Sequence, residues 1–286
     1  MNTPSSESVP VKALDPGLYI VATPIGNLGD ITMRAVDVLR GVSVVACEDK
    51  RVTGKLLKHI GVQKRLIAYH EHSIRQVEDE ILDMLHRESV ALVSDAGTPL
   101  ISDPGWQLVK RAKDAGYMVT AIPGPSALIA ALVQSGLNNR RFLFGGFMPR
   151  TDEGRANCLR EVGDLYCTVI LYETGPRLTK SLKIMAELWP NREIAVAREL
   201  TKLYEECRSG TAEELLEHYT AHPPKGEIVL MAGPPITIVP EEHDVETMLR
   251  GLLKTEKPSQ AATRVAKFTG RDRKELYKMA LRLKAE

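Results

Sequence analysis

The chain has 286 residues, of which 43% are hydrophobic and 26% charged, with a net charge of +1. This length supports a substantial core in two domains or more, and the balanced charge excludes acidic or polybasic tails and nucleic-acid binding by the whole surface. No apolar run is long enough to span a bilayer. The four cysteines (Cys47, Cys158, Cys167, Cys207) form no Cys-x-x-Cys pair, so we expect reduced thiols in a cytoplasmic protein rather than a disulfide framework or a zinc site.

In chain order, residues 1–16 are polar and contain prolines, and read as a flexible leader rather than a signal peptide. Five strands are expected next, at Leu18–Ala22, Val42–Ala46, Arg65–Ala68, Val90–Val93 and Met118–Ala121. Helical patterns separate them at Arg34–Leu39, Thr53–His59, Arg75–His86 and Trp106–Ala115, with an Ala-rich helix over Leu128–Gln134. Ile74, Val77, Ile81, Leu82 and Leu85 recur at helical spacing and make the third of these the clearest. Strands alternating with helices imply a parallel sheet, because parallel neighbours need crossover connections. Asn138-Asn139 reads as a linker between an α/β domain over 17–138 and a second over 139–236. The second domain should hold strands Val169–Tyr172, Glu193–Ala197 and Glu227–Ala232 and helices Leu178–Leu188 and Ala212–Tyr219.

Residues 237–286 form a third, helical unit. Val245, Met248, Leu249, Leu252 and Leu253 give one amphipathic helix, and Lys257-Pro258-Ser259-Gln260 a break and N-cap before Ala261–Phe268. Thr269-Gly270 then separates that helix from Asp272–Lys284, whose inner face is expected to carry Leu276, Tyr277, Ala280 and Leu281. This is a helix-turn-helix outline with a local basic surface that includes Arg264, Lys267, Arg271, Arg273, Lys274, Lys278, Arg282 and Lys284.

The most informative segment is Leu92 to Gly105. An apolar strand ends in small turn-forming residues with two carboxylates, Asp95 and Asp103. Similar loops follow the first strand (Thr23-Pro24-Ile25-Gly26-Asn27-Leu28-Gly29-Asp30) and the fifth (Pro123-Gly124-Pro125-Ser126-Ala127). Loops at the carboxyl ends of parallel strands hold ligands in α/β sheets. None of the three is a dinucleotide fingerprint or a P-loop, which argues against a nicotinamide dehydrogenase or an ATPase. His70-Glu71-His72 lacks further ligands and reads as a loop contact rather than a metal site.

Together with Glu48-Asp49-Lys50-Arg51, Gly145-Gly146-Phe147-Met148-Pro149-Arg150, Ala197-Arg198-Glu199-Leu200-Thr201-Lys202 and Lys225-Gly226-Glu227-Ile228-Val229-Leu230, these loops resemble the tetrapyrrole-methylase superfamily. Within it they resemble the branch of type I ribosomal RNA small-subunit methyltransferases. The resemblance implies a two-domain α/β fold, with a parallel sheet, a mixed second sheet and a small helical unit contacting RNA. It also implies a homodimer, with no metal and no membrane association. The implied reaction is methylation by S-adenosylmethionine of a cytidine ribose 2′-hydroxyl in the decoding region of 16S ribosomal RNA, within the small subunit. The cofactor is expected in a cleft between the domains, near Pro24, Gly26 and Asp95. Gly97, Thr98, Leu100 and Ile101 would lie along its methionine part, beside Ser126, Ala127, Met148 and Tyr172. Gly226, Glu227 and Ile228 would lie near its adenosine.

Glu48, Asp49 and Glu173 are the candidates to take the acceptor's proton. Arg51, Arg150, Arg177 and Arg198 are candidates for RNA phosphates, with Arg264, Lys267, Arg271, Arg273 and Lys274 of the helical unit. Two positions depart from the related pattern: Lys50 stands where threonine is usual, and Gly175-Pro176 where proline then histidine is usual. Without that histidine, a carboxylate or simple desolvation is left to assist the acceptor. Two other readings remain open, a methyltransferase of corrin or porphyrin precursors and a non-enzymatic nucleic-acid-binding protein that senses the cofactor.

Overall fold

A computed structural model describes residues 14–70, 74–235, 242–269 and 271–285. It divides into two compact units between Pro234 and Pro235.

In the first unit the chain runs β1 (Gly17–Val21), α1 (Met33–Gly41), β2 (Val44–Cys47), α2 (Lys50–His59), β3 (Arg65–Ala68), α3 (Ile74–Met84), β4 (Ser89–Val93), α4 (Trp106–Asp114), β5 (Val119–Ile122) and α5 (Ala127–Gln134). The five strands form one parallel sheet in the order β3-β2-β4-β1-β5. β2 and β4 are buried at every residue, as expected of strands covered on both faces. On one face Val21, Val45 and Ala91 pack with Ala35, Val38 and Leu39 of α1 and with Leu57 of α2. On the other, Leu18, Val44 and Val90 pack with Ile81 of α3 and with Leu108 and Ala112 of α4. The helices after the adjacent strands β1 and β4 therefore lie on opposite faces. A crevice opens between the carboxyl ends of such strands, where this class of sheet binds ligands.

The chain continues through β6 (Phe142–Phe147), α6 (Asp152–Gly163), β7 (Thr168–Thr174), α7 (Gly175–Leu188), β8 (Glu193–Arg198), β9 (Glu206–Thr211), α8 (Ala212–Ala221) and β10 (Glu227–Ala232). These strands make a mixed sheet, β6-β7-β10-β8-β9, in which only β6 and β7 run parallel. One face is covered by α6, α7 and α8 through Leu159, Leu178, Leu182 and Leu215. The other packs Ile170, Ala195, Val229 and Met231 against Leu128, Ala131 and Leu132 of α5. Helix α5 thus ties the two sheets together and brings its first residues to the gap between them.

The structure corrects several element expectations. Val42 caps α1 through its amide to Val38 O (2.9 Å), so the second strand starts later than its apolar run suggested. β6, α6 and β9 were not anticipated as elements. β6 contains a glycine pair and a shift of register between Phe144 and Phe147, and β9 is a polar edge strand without apolar alternation. Helix α8 starts with a reciprocal capping box between Thr211 and Glu214. Replacing Thr211 by alanine should cost about 1 kcal/mol, read as a fall in melting temperature of roughly 2–4 °C.

The second unit holds α9 (Glu242–Leu253), α10 (Pro258–Thr269) and α11 (Arg273–Ala285) around Val245, Leu249, Ala261, Val265, Leu276, Ala280 and Leu283. Helix α10 begins at Pro258, not after it. Proline suits the first helical turn because its missing N–H has no partner to lose there. Tyr277 and Leu281, expected inside, are exposed; the buried stripe of α11 is Leu276, Ala280 and Leu283, at the i, i+4, i+7 spacing.

Candidate functional site

The loops after β1, β2, β4 and β5 are bonded to one another at the crevice. Thr23 and Gly97 exchange backbone hydrogen bonds (2.8 and 3.0 Å), which require Gly97 at a left-handed φ of 78°. The Thr23 hydroxyl donates to Ser94 O at 3.2 Å, that of Thr98 to Pro125 O at 3.1 Å, and the Asp49 amide to Asp95 Oδ1 at 3.0 Å. A further bond, from the Asn27 amide to Thr201 Oγ1 (3.1 Å), joins the first loop to the segment between β8 and β9. Among the described residues, the non-glycine residues with left-handed φ are Leu100, Ser102, Glu199 and Thr201, and all lie in the two segments facing each other here. Such conformations cost energy and persist only where the surroundings hold them, as at ligand sites.

These segments enclose a cavity of about 310 Å³ between the two sheets. Of the residues expected at the cofactor, Asp95, Gly97, Thr98, Ile101, Ser126, Ala127, Tyr172, Glu227 and Ile228 line it. Pro24, Gly26, Leu100, Met148 and Gly226 do not line it. Pro24 is buried beneath the loop, and Gly26 lies against Lys202, where a Cβ would come within 2.8 Å of its side chain. Leu100 packs toward the first core, and Met148 is buried among residues on the helix-covered face of the mixed sheet. Gly226 has a φ of 81°, and a Cβ there would meet Glu199 at 2.7 Å. Its carbonyl accepts from the Gly175 amide (2.9 Å).

The three candidate proton acceptors are placed differently. Glu48 is half-buried and lines the cavity. Asp49 caps α2 through Arg51 N and pairs with the Arg51 guanidinium, which holds its carboxyl down at about 2. A carboxylate so held is a poor base. Glu173 borders the cavity, but its carboxylate is buried. It accepts from Ser181 Oγ (2.6 Å) and Thr174 N (2.9 Å), with Arg177 Nε at 3.2 Å and Arg155 Nε at 3.9 Å. Arg177 in turn donates to the carbonyls of Met148 (2.6 Å) and Pro149 (2.8 Å). The Gly175-Pro176 departure has a packing reason, since a Cβ on Gly175 would stand 2.3 Å from Pro224 O. Lys50 is an exposed first residue of α2.

Among the other cations, Arg198 pairs with Glu206 (2.7 Å), Arg264 is exposed and paired with Glu256, and Arg273 donates to Thr263 Oγ1 (2.8 Å). Arg150 and Lys274 are exposed and Arg271 is half-buried. The Lys267 side chain lies outside the described residues, as do Glu71 and His72. Among the described residues no group of His, Cys, Asp and Glu is arranged to hold a metal ion.

The cavity also takes in residues the sequence reading left out of the site: Ile25, Ala96, Ser102, Asp103, Phe147, Ala197, Glu199, Leu200, Lys202 and Val229. Most fall inside segments already singled out, and Asp103 was visible as the second carboxylate of its loop. Its carboxyl is raised to about 6, chiefly by burial and further by the charges of Glu48, Asp95 and Glu227, with the Ser94 hydroxyl opposing. Burial also raises the Tyr172 phenol, aided by Asp103 and Glu227.

A parallel sheet whose switch-point loops meet a mixed sheet over a carboxylate-walled cavity defines a class of two-sheet α/β ligand-binding folds. The fold is shared with cobalt precorrin-4 methyltransferase, a cobalamin biosynthetic enzyme (TM-score 0.57, 16% identity, 76% of this chain and 94% of that one). It is shared also with diphthine synthase (TM-score 0.60, 14% identity, 76% and 89%). The chain belongs to the family of Tetrapyrrole (Corrin/Porphyrin) Methylases, which matches residues 17–216, and residues 239–284 match the RsmI C-terminal HTH domain. Curated relatives named Ribosomal RNA small subunit methyltransferase I include that of Erythrobacter litoralis, 59% identical over 95% of this chain and 96% of that protein. Those of Mesorhizobium japonicum (46%; 96% and 95%) and Escherichia coli O157:H7 (43%; 92% and 94%) are also similar.

The methyl donor is S-adenosylmethionine. The cavity fits it chemically. Ala96, Gly97, Ala127 and Ala197 leave space for a folded ligand, and Glu48, Asp95, Asp103 and Glu227 suit its sulfonium and ammonium charges.

Proposed function

We propose that this protein methylates the ribose 2′-hydroxyl of a cytidine in the decoding region of small-subunit ribosomal RNA. The reading rests first on near-full-length similarity to relatives whose printed name is Ribosomal RNA small subunit methyltransferase I, 59% identical in the case quoted above. In this reading residues 17–138 and 139–236 are the two halves of the methylase, and 237–286 contact RNA. The match to a helix-turn-helix domain at 239–284 favours it over methylation of a corrin or porphyrin.

Within the cleft, Asp95, Thr98, Ser126 and Tyr172 hold the donor, whose bound form supplies an activated methyl group. The loops fix the acceptor beside it and exclude water, which removes most of the entropic cost of meeting. Glu173 keeps Arg177 on the Met148 and Pro149 carbonyls and so positions the wall that carries Phe147. Arg51, Arg150, Arg198 and the exposed cations of α10 and α11 supply phosphate contacts, Arg51 and Arg198 by exchanging their present carboxylate partners. A cytoplasmic homodimer acting on the small subunit completes the reading. No helix among the described residues is long and apolar enough to cross a membrane.

The test is primer extension at low nucleotide concentration on ribosomal RNA from cells lacking the protein. A ribose-methyl stop present in the parent strain should vanish and return with the wild-type gene. An unchanged pattern of stops would sink the proposal.

A further inference from the structure

We propose that Phe147 is the surface on which a base of the RNA substrate stacks, beside the acceptor ribose. This rests on RNA being the substrate.

The backbone of β6 is bent to present this ring. Its pairing with β7 sets Phe144 opposite Ile170 and resumes with Phe147 opposite Tyr172, so three steps along β6 match two along β7. In an unbroken strand, side chains three residues apart point to opposite faces. The inserted residue returns Phe147 to the face of Phe144, and both rings meet Tyr172 edge-on. Their centroids lie 4.8 Å (Phe144) and 5.3 Å (Phe147) from that of Tyr172. Bulges beside active sites re-aim side chains in this way. Two glycines allow it here. Gly146 has a φ of 73°, and a Cβ on Gly145 would come within 2.8 Å of Leu171 Cδ2.

The three rings form a step out of the second sheet's core. Phe144 and Tyr172 are half-buried against the cluster that holds α5, whereas Phe147 is 53% exposed although it lines the cavity. Of the large apolar side chains lining the cavity it is the most exposed. Its mounting is rigid. The Met148 amide donates to Tyr172 O at 2.8 Å, and Arg177 donates to the Met148 and Pro149 carbonyls. A ring held in place before binding loses little side-chain freedom when a partner stacks on it.

The chemistry of the cleft selects the partner. Glu48, Asp95, Asp103 and Glu227 repel a phosphodiester, while a base presents a neutral π-face that an aromatic ring accepts irrespective of its identity. Position separates this base from the donor's adenine. Phe147 is on the edge strand β6, and β7 stands between it and β10, which carries Glu227 and Ile228.

The experiment compares wild type, Phe147→Ala, Phe147→Leu and Phe147→Tyr on small ribosomal subunits lacking the modification. Methyl-transfer kinetics are measured against subunit concentration, and donor affinity by calorimetry. Loss of one stacked base in Phe147→Ala should lower kcat/KM by roughly 5- to 150-fold, chiefly through a higher KM, because the stack is made before and during the reaction alike. Phe147→Leu keeps an apolar side chain without a π-face and should lose nearly as much. Phe147→Tyr keeps the ring and should stay within about threefold of wild type, with donor affinity unchanged in all three variants. Phe147→Leu matching wild type would overturn the proposal, making the residue an apolar wall. Donor affinity lost in proportion to kcat/KM would also overturn it, giving the ring to the donor. Failure of the reading beneath it looks different: wild-type protein would transfer no methyl group to the subunits.

Discussion

Replacing Glu173 by alanine should destabilise the protein by about 3–5 kcal/mol, the usual cost of breaking a buried ion pair from one side. The Glu173 side chain is wholly inaccessible to solvent, and Arg155 beside it is 1% exposed. Arg155 retains Asp152, but that carboxylate is 74% exposed and sits at the helix surface. The Nε atoms of Arg155 and Arg177 have no hydrogen-bond partner even in the intact protein, so the Glu173 charge is what offsets their burial. Without it, the buried Arg155 guanidinium is left with the exposed Asp152 as its ionic partner, and Arg177 with the carbonyls of Met148 and Pro149. The expected readout is a fall in melting temperature on the order of 10 °C. Glu173→Gln keeps a partner for the Ser181 hydroxyl and removes only the charge, so it should fall between wild type and Glu173→Ala. Unchanged melting of both variants, with turnover alone lost, would return Glu173 to the role of proton acceptor.

Asp103→Asn should have the opposite effect on stability, and only above acid pH. The carboxyl rises from its ordinary 3.8 to about 6 on folding, so the folded protein binds the proton more tightly than the unfolded chain. The stability this contributes is fully present below 3.8 and is lost as pH rises through about 6. Above that range the ionised carboxylate opposes folding by up to about 3 kcal/mol, at about 1.4 kcal/mol for each tenfold change in proton affinity. Asparagine removes the charge while keeping similar size. The variant should therefore melt above wild type at pH 8, by several degrees, and the difference should close below about pH 4. A variant less stable than wild type at pH 8 would mean that the carboxylate is favourably bonded rather than strained.

Much of the fold was legible in local pattern. Continuous apolar runs bounded by turn residues placed Arg65–Ala68 and Glu227–Ala232 at their observed limits. Helical spacing placed α3, where Ile81 is buried, with Leu85 buried just past its last residue. The site-forming loops could be read because parallel strands direct their carboxyl ends to one edge, so small and glycine-rich segments there have a reason to exist. The polar edge strand β9 and the bulged β6 were hidden. An edge strand needs no apolar alternation, and a bulge breaks it.

Which way each side chain of these elements points was a different matter. Along β7, Val169, Leu171 and Glu173 face the helices while Ile170 and Tyr172 face α5 and the cleft. Successive strand residues project to opposite faces, so two neighbours with equal claims on paper were separated by one step of the backbone. The outward turn of Tyr277 and Leu281 on α11 has the same kind of cause, since packing decided which stripe was covered.

The amino-acid sequence by itself determined the alternation of strands and helices, the loops that gather at the sheet edge, and the chemical character of those loops. Composition and turn chemistry act over a few residues, which is why those features could be read without coordinates. Only the tertiary structure decided that Asp103 is desolvated while Asp49 is neutralised by Arg51 and Glu173 is enclosed. The acidity of a carboxylate is set by charges and buried surface brought from distant parts of the chain, and no local pattern encodes their distances.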